Sequence, residues 1–184
     1  MVTFGLMVDW FSKREDHAPR PSRGLRRPSV SVISDELLIG EYPGQADIGW
    51  LKDTYGITAV HNLQDDDDLR MNGLDNRDLS AEYTAQGINY VRTPIQDGSA
   101  DAMAERLEEA LHDLHELVGT GSRVYLHCNA GMNRAPTLAI AFLRAYRQMS
   151  LEEAMKLVKK HRACGPFMTV LEEYFGPRDY KPEK

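Results

Sequence analysis

Residues 124–136 read V-Y-L-H-C-N-A-G-M-N-R-A-P, and this stretch decides the fold of the chain. Its first residues are rich in β-prone side chains, which predicts a short strand that ends at His127. Residues 135–146 are apolar nearly all round, which predicts a helix buried in the core. Between strand and helix the chain must turn sharply, and Gly131 eases that turn. Cys128 therefore begins, and Arg134 ends, a tight connection between the two elements.

This connection has the features of an anion site. Successive backbone N–H groups in such a turn point inward, and the start of the next helix adds partial positive charge. The guanidinium of Arg134 matches two phosphate oxygens. These groups favour the thiolate of Cys128, a form that an ordinary cysteine rarely adopts at neutral pH. We expect Cys128 to be a nucleophile, with His127 ordering the loop. The predicted phosphate-binding residues are Asn129, Ala130, Gly131, Met132, Asn133 and Arg134.

A general acid is expected on a second loop, because attack on a phosphate ester expels an oxygen that needs a proton. Asp97 follows a strand predicted at 88–95 and precedes a helix predicted at 99–118. In a parallel sheet this loop reaches the same edge as Cys128. Asp97 is therefore the candidate acid. Asp101 is the alternative, although it better suits the first turn of the helix.

The pattern H-C-x-x-G-x-x-R at 127–134 resembles the cysteine-dependent protein tyrosine phosphatase superfamily, and its dual-specificity branch most, over residues 30–176. The run 127–136 is similar to the glucan phosphatases and laforin, and the runs Leu63-Gln64-Asp65 and Arg162-Ala163-Cys164-Gly165-Pro166 add to that likeness. The resemblance implies a phosphocysteine intermediate at Cys128, phosphate binding by Arg134 and the 129–133 backbone, and acid catalysis by Asp97. It implies no metal and no other cofactor.

Three substrate classes follow in order of preference. Phosphotyrosine with phosphoserine and phosphothreonine in proteins comes first, and phosphoglucan second. Phosphoinositides come third, because the loop carries no Lys and residues 30–184 are acidic. A pseudophosphatase that binds phosphate without turnover remains an alternative, because Asn133 and Ala135 replace the Gly and the Ser or Thr that are common in the superfamily.

The remaining pattern predicts a three-layer α/β domain, with a central sheet of about five mostly parallel strands flanked by helices. Helix exits at Gly56 and Gly87, each followed by a β-prone run, favour βα alternation. The predicted strands are 29–33, 37–40, 57–63, 88–95 and 123–127. The predicted helices are 45–55, 78–86, 99–118, 135–146, 150–161 and 167–176.

Composition and charge limit the remaining possibilities. The chain has 184 residues, 42% apolar and 27% charged, which suits one globular domain. Residues 12–29 are rich in Pro, Arg and Ser and predict a basic, disordered leader (1–29) before a phosphatase domain (30–184). The net charge of the chain is −6, but residues 1–29 carry six basic and three acidic residues, so residues 30–184 carry −9, which disfavours nucleic acid or an anionic membrane as partner. Two cysteines and no long apolar run favour a cytoplasmic protein, which we expect to be monomeric.

Four further features have alternative interpretations. The run Asp65 to Asp68 is interpreted as a solvated loop rather than a cation site. His112 and His115 are expected on an exposed helix face rather than on a metal. Cys164 is expected to be a small buried residue rather than a redox partner of Cys128. Lys159, Lys160 and Arg162 are expected to complement the dipole of the helix that precedes them.

Overall fold

The computed structural model describes residues 26–180, so most of the predicted leader lies outside the described residues. Its last part, 26–29, lies against the domain. Arg26 forms an ion pair with Glu41 at 3.0 Å, and Arg27 forms one with Asp47 at 2.8 Å. Among residues 26–180, no helix is both long and apolar enough to span a bilayer.

Five strands form one sheet, with the order β1-β2-β5-β3-β4. They are β1 (Val30–Val32), β2 (Leu37–Gly40), β3 (Ala59–Asn62), β4 (Asn89–Arg92) and β5 (Val124–His127). Only β1 is antiparallel to its neighbour; the other three pairings are parallel. The expected sheet of about five mostly parallel strands is confirmed, and β5 is its central strand.

Seven helices cover the sheet among the described residues. They are α1 (Gln45–Tyr55), α2 (Asp66–Met71), α3 (Asn76–Ala85), α4 (Ala100–Gly119), α5 (Arg134–Tyr146), α6 (Leu151–His161) and α7 (Met168–Phe175). Six of them match predicted helices within about two residues at each end. The exception is α2, which begins in the run of aspartates where the sequence predicted a solvated loop.

Side chains alternate across the sheet and divide the core into two halves. Val124 and Leu126 of β5 pack with α4 to α7, whereas Tyr125 packs on the opposite face with α1 and α3. This alternation follows from the period of two along a strand. The three-layer α/β architecture is therefore confirmed.

A buried polar cluster lies between the sheet and α4. The Thr93 hydroxyl donates to the carboxylate of Asp113 at 2.6 Å, so its oxygen accepts from Nε2 of His61, which is 2.8 Å away. His61 and Thr93 are fully buried. Burial lowers the pKa of His61 to about 4, although the charge of Asp113 opposes this shift. His61 is therefore neutral in the folded protein at neutral pH. We call these three residues the His61 cluster.

The two histidines of α4 are not both exposed. His112 is exposed as expected, but His115 is half-buried and stacks on Tyr146 with ring centroids 3.9 Å apart. The expectation of an exposed face is thus wrong for His115. Aromatic stacking against α5 explains its position.

Candidate active site

The site lies where the parallel strands β2, β3, β4 and β5 end at one edge of the sheet. The residues opposite one another at that edge are Gly40, Asn62, Arg92 and His127. The segments that follow them, 41–44, 63–66, 93–99 and 128–133, therefore meet. This placement brings the loop of Asp97 beside the loop of Cys128, as the sequence predicted.

Residues 129–133 turn their carbonyl groups away from the centre of the loop. Each of the five carbonyl oxygens accepts a hydrogen bond from a group outside the loop. The donors are Tyr42 N for Asn129, Arg162 for Ala130 and Gly131, Gly165 N for Met132, and both N and Oγ1 of Thr137 for Asn133. By contrast, no acceptor within residues 26–180 binds the backbone N–H groups of residues 129–133. The loop thus presents free donors, which is the arrangement of an anion-binding nest.

Gly131 is required by this arrangement. Its φ is +64°, and a Cβ built on it would lie 2.4 Å from the carbonyl oxygen of Gly40. Any side chain here would collide with the backbone at the end of β2 and would also strain the loop. The predicted role of Gly131 in the turn is consistent with this geometry.

Cys128 and Arg134 occupy the two ends of the loop. Cys128 is buried, with 2% of its surface exposed, and Arg134 is completely buried. Burial acts against the charged guanidinium, but the negative charges of Cys128, Asp68 and Asp97 outweigh it and raise the pKa of Arg134. The guanidinium therefore lies within electrostatic reach of the sulfur and remains charged.

Asp97 contacts Arg134 directly. Its Oδ1 lies 2.8 Å from Nη2 of Arg134, while 52% of its side chain is exposed. Its backbone N–H donates to Asp65, which fixes the loop beside α2. Asp101 lies instead in the first turn of α4. The structure thus brings together Cys128, Arg134 and Asp97 and leaves the alternative acid in the helix.

Asp68 is the site residue that the sequence interpretation missed. It was interpreted as part of a solvated loop, but only 1% of it is exposed and its Oδ2 lies 2.6 Å from Nη1 of Arg134. Burial raises the pKa of Asp68, and the hydrogen bond and charge of Arg134 partly offset that shift. Asp65 caps α2 and forms a reciprocal capping box with Asp68. The interpretation of 65–68 as a solvated loop is therefore wrong for Asp68.

Asp68 also holds the first residue of the loop. Its second oxygen accepts a hydrogen bond from the amide of Asn129. The amide oxygen of Asn129 in turn accepts from Gln64 at 2.7 Å and from Asn72 at 3.0 Å. One carboxylate thus joins the beginning of the loop to the guanidinium at its end. We call Asp68, Asn129 and Arg134 the Arg134 cluster.

The side chains of His127 and Asn133, at the two ends of the loop, each contact a backbone carbonyl oxygen. Nδ1 of the buried His127 lies 3.2 Å from the carbonyl oxygen of Cys128, which suits its expected ordering role. The amide of Asn133 donates to the carbonyl of Gly165 at 2.7 Å and so binds the loop to the segment between α6 and α7. The side chain of Asn133 is therefore directed at the segment that follows α6.

Arg162 and Cys164 lie in that same segment. Arg162 was expected to complement the dipole of α6, and it lies at the C-cap of that helix. It is 8% exposed, and its guanidinium also reaches the loop. Cys164 is half-buried, and burial raises its pKa against the opposing charges of Lys159 and Arg162. That direction disfavours a reactive thiolate.

No cluster of three or more His, Cys, Asp or Glu side chains in the described part of the chain is placed to hold a metal ion. The oxygens of Asp68 are already taken by Arg134 and Asn129. The run 65–68 therefore serves as a helix cap and an ion-pair partner.

A cysteine-bearing loop between a central parallel strand and a buried helix, closed by an arginine, is the arrangement of the cysteine-dependent phosphatases. The sequence model of one family in that class, "Dual specificity phosphatase, catalytic domain", matches residues 39–174. The chain belongs to this family. The match contains all of the site residues described above.

The relatives of the chain include proteins named for the first two of the three substrate classes suggested by the sequence. It is 33% identical over 141 residues to dual specificity protein phosphatase 26 of Mus musculus, covering 72% of this chain and 61% of that protein. It is 29% identical over 142 residues to an amyloplastic phosphoglucan phosphatase, DSP4, of Castanea sativa, covering 75% of this chain and 37% of that protein. The chain thus spans about two fifths to three fifths of the length of these relatives.

The fold has solved counterparts. The crystal structure of Tk-PTP in the active form is 28% identical, with a TM-score of 0.67. The likeness covers 79% of this chain and 95% of that one.

Proposed function

We propose that the chain is a metal-independent phosphatase that hydrolyses phosphate monoesters through a phosphocysteine intermediate. One observation carries the proposal: the loop between the buried Cys128 and the buried Arg134 has five backbone N–H groups without an acceptor in the described chain, and the Arg134 guanidinium interacts electrostatically with Cys128. These groups bind a phosphate dianion and favour the thiolate beneath it.

In the first step, the sulfur of Cys128 attacks phosphorus and the bond from phosphorus to the ester oxygen breaks. Arg134 and the 129–133 backbone hold the phosphoryl oxygens as charge develops on them. Asp97 gives its proton to the leaving oxygen. Because Asp97 is half-exposed and lies on Nη2 of Arg134, it is free to turn towards the ester when phosphate takes its place on the guanidinium.

In the second step, a water molecule attacks the phosphorus of the phosphocysteine. Asp97 accepts the proton from that water, the bond between sulfur and phosphorus breaks, and inorganic phosphate leaves. Both steps use groups of this chain alone, so the proposed mechanism requires no cofactor. Asp97 returns to its initial state at the end of the cycle.

The first substrate class is phosphotyrosine and phosphoserine or phosphothreonine in proteins, and the alternative is phosphoglucan. The family and the mouse relative support the former. The chestnut relative supports the latter. A monomeric state and a cytoplasmic location remain predictions from the sequence.

Turnover by the purified chain on four substrates tests the proposal: an aryl phosphate, a phosphotyrosine peptide, a phosphothreonine peptide and solubilised amylopectin. We expect Cys128→Ser to abolish turnover while binding of inorganic phosphate persists. The matched control is Cys164→Ser, which removes the other thiol and should keep full activity. A single burst without further turnover would instead indicate a pseudophosphatase.

Asp97→Ala tests the proposed acid. We expect it to reduce kcat about 100-fold or more on the phosphothreonine peptide, whose leaving group needs a proton. The loss on an activated aryl phosphate should be far smaller. Equal losses on the two substrates would exclude Asp97 as the acid, and an equal effect of Asp101→Ala would favour the alternative residue.

A further inference from the structure

Arg162 is a buried guanidinium that lies outside the loop and belongs to none of the steps above. It follows the last residue of α6, and its Nε donates to the carbonyl of Gly131 at 2.5 Å. Its Nη2 donates to the carbonyl of Ala130 at 2.8 Å. One planar fork therefore holds two successive carbonyls of the loop on the side away from the phosphate site.

The third nitrogen of Arg162 also meets neutral oxygens only. Nη1 lies 3.4 Å from the carbonyl of Ser29 and 3.3 Å from the hydroxyl of Ser31. No carboxylate forms an ion pair with Arg162 among residues 26–180. Burying a cation without an anionic partner is costly, so a counter-charge is expected nearby.

Arg134 offers the opposite case, since it contacts two carboxylates, those of Asp68 and Asp97. Its positive charge is thus already balanced before any phosphate binds. The charge of Arg162 is not balanced in this way. The anions that the loop itself would hold, the Cys128 thiolate and a bound phosphate, are the counter-charges that this position of Arg162 suits.

Arg162 also acts on the donors of the loop through the peptide groups it contacts. The carbonyls of Ala130 and Gly131 share their peptide groups with the N–H of Gly131 and the N–H of Met132. A cation bonded to the carbonyl polarises the group and strengthens its N–H as a donor. Those two N–H groups have no acceptor within the described chain.

We propose that Arg162 is a positioning residue of the phosphate site: it fixes two loop carbonyls outward and supplies the positive charge that balances thiolate and phosphate. The role rests on the proposed function of the loop. Arg162 does not touch the substrate, since its guanidinium is bonded to the outer side of the loop.

Two variants and one matched control test this role. Arg162→Met keeps an unbranched, largely apolar side chain but removes the charge and all donors. Arg162→Lys keeps the charge and loses the fork. Lys160→Met removes one positive charge from an exposed position two residues earlier on the same helix.

The first measurement is the alkylation of Cys128 by iodoacetamide against pH, followed by mass spectrometry of the peptide that contains Cys128. We expect Arg162→Met to raise the pH of half-maximal alkylation by about one unit, a tenfold loss of thiolate below that pH. Arg162→Lys should keep the wild-type midpoint because its charge remains. Lys160→Met should also keep it.

The second measurement is the affinity for inorganic phosphate. We expect about a tenfold loss in Arg162→Met and about a threefold loss in Arg162→Lys, because lysine cannot hold both carbonyls. If folded Arg162→Met matches the wild type in both measurements, the role is excluded. If Arg162→Met does not fold, Arg162→Lys decides, and unchanged phosphate affinity in that variant overturns the positioning role.

These measurements do not depend on turnover. A wild-type chain that hydrolyses none of the four substrates would overturn the proposed function. The shifts in alkylation and phosphate affinity would still support the role of Arg162 in that case. The two failures can therefore be told apart.

Discussion

Two buried polar clusters in this molecule contain a basic side chain and a carboxylate, but the basic group is charged in one cluster and neutral in the other. In the Arg134 cluster the guanidinium stays charged, because its Nη1 binds Asp68 and its Nη2 lies beside Asp97. In the His61 cluster burial removes the charge of the imidazole, and the Thr93 hydroxyl separates it from Asp113. A guanidinium cannot be neutralised at ordinary pH, whereas an imidazole can.

The contrast between the two clusters indicates where function is to be expected. The Arg134 cluster lies at the edge where the parallel strands end and opens through the half-exposed Asp97. The His61 cluster lies between the sheet and α4, where His61 and Thr93 are fully buried. A buried basic group is therefore a candidate for catalysis when the fold keeps its charge at an open edge, and a structural element when the fold neutralises it.

The largest effect should come from Asp68→Asn in the Arg134 cluster. The asparagine loses the charge that balances Arg134 and turns an amide towards Asn129. We expect kcat/KM on an aryl phosphate to fall about 100-fold, or about 2.7 kcal/mol. Unfolding free energy should fall by about 3–5 kcal/mol, because a buried charge loses its partner.

Asp67→Asn is the matched control for that variant. Asp67 is the neighbouring residue of α2, and its ion pair with Arg70 is largely exposed on both sides. An exposed pair contributes little, so stability should change by less than about 1 kcal/mol and activity should be unchanged. If the two variants behaved alike in urea unfolding and in turnover, the contrast between buried and exposed aspartates would be lost.

The next effect is the pH dependence of stability caused by His61. Its pKa is lowered from 6.5 to about 4 in the folded protein. Between about pH 6.5 and 4 the unfolded state therefore binds a proton at His61 that the folded state does not bind. The free energy of unfolding falls as the pH falls through this window. The full loss is about 3 kcal/mol, most of it reached by pH 4.5, and urea unfolding of the wild type and His61→Gln at pH 7.5, 6, 5 and 4.5 follows it.

Other groups also titrate in this pH range. The test therefore compares the pH dependence of the unfolding free energy of the wild type with that of His61→Gln. The unfolding free energy of His61→Gln should lack this part of the pH dependence. Parallel pH curves for the two proteins would show that His61 is not the group responsible.

The smallest effect should come from Thr93→Val in the His61 cluster. Valine keeps the shape but breaks both hydrogen bonds of the hydroxyl, which leaves His61 and Asp113 without this partner. We expect a loss of about 2 kcal/mol in unfolding free energy with kcat unchanged. A large loss of kcat in a folded Thr93→Val would mean that the His61 cluster acts on the site, contrary to the comparison.

The sequence predicted those parts of the site that depend on local signals. The strand before Cys128, the turn at Gly131 and the buried helix after Arg134 are each encoded within a few residues, so they could be predicted together. Asp97 could be placed because parallel strands bring their following loops to one edge.

The sequence interpretation missed what depends on distant partners. Asp68 meets Arg134 66 residues later in the chain, and nothing near Asp68 reveals that contact. One local signal was available, since Asp is a preferred N-cap and Leu69 follows the run as an apolar position. The contacts of Arg162 with the loop were missed for the same reason, because its partners lie 31 and 32 residues away in the chain.

Two glycines and a tyrosine set the limits within which this site can be altered. A Cβ on Gly40 would overlap the ring of Tyr125, and a Cβ on Gly131 would overlap the backbone of Gly40. The loop that carries Gly131 is thus packed directly on the end of β2, and neither glycine has room for a side chain. Substitutions intended to change the ligand should therefore keep Gly40, Gly131 and Tyr125. They should be made at exposed positions of the loop, such as Met132, which is 48% exposed.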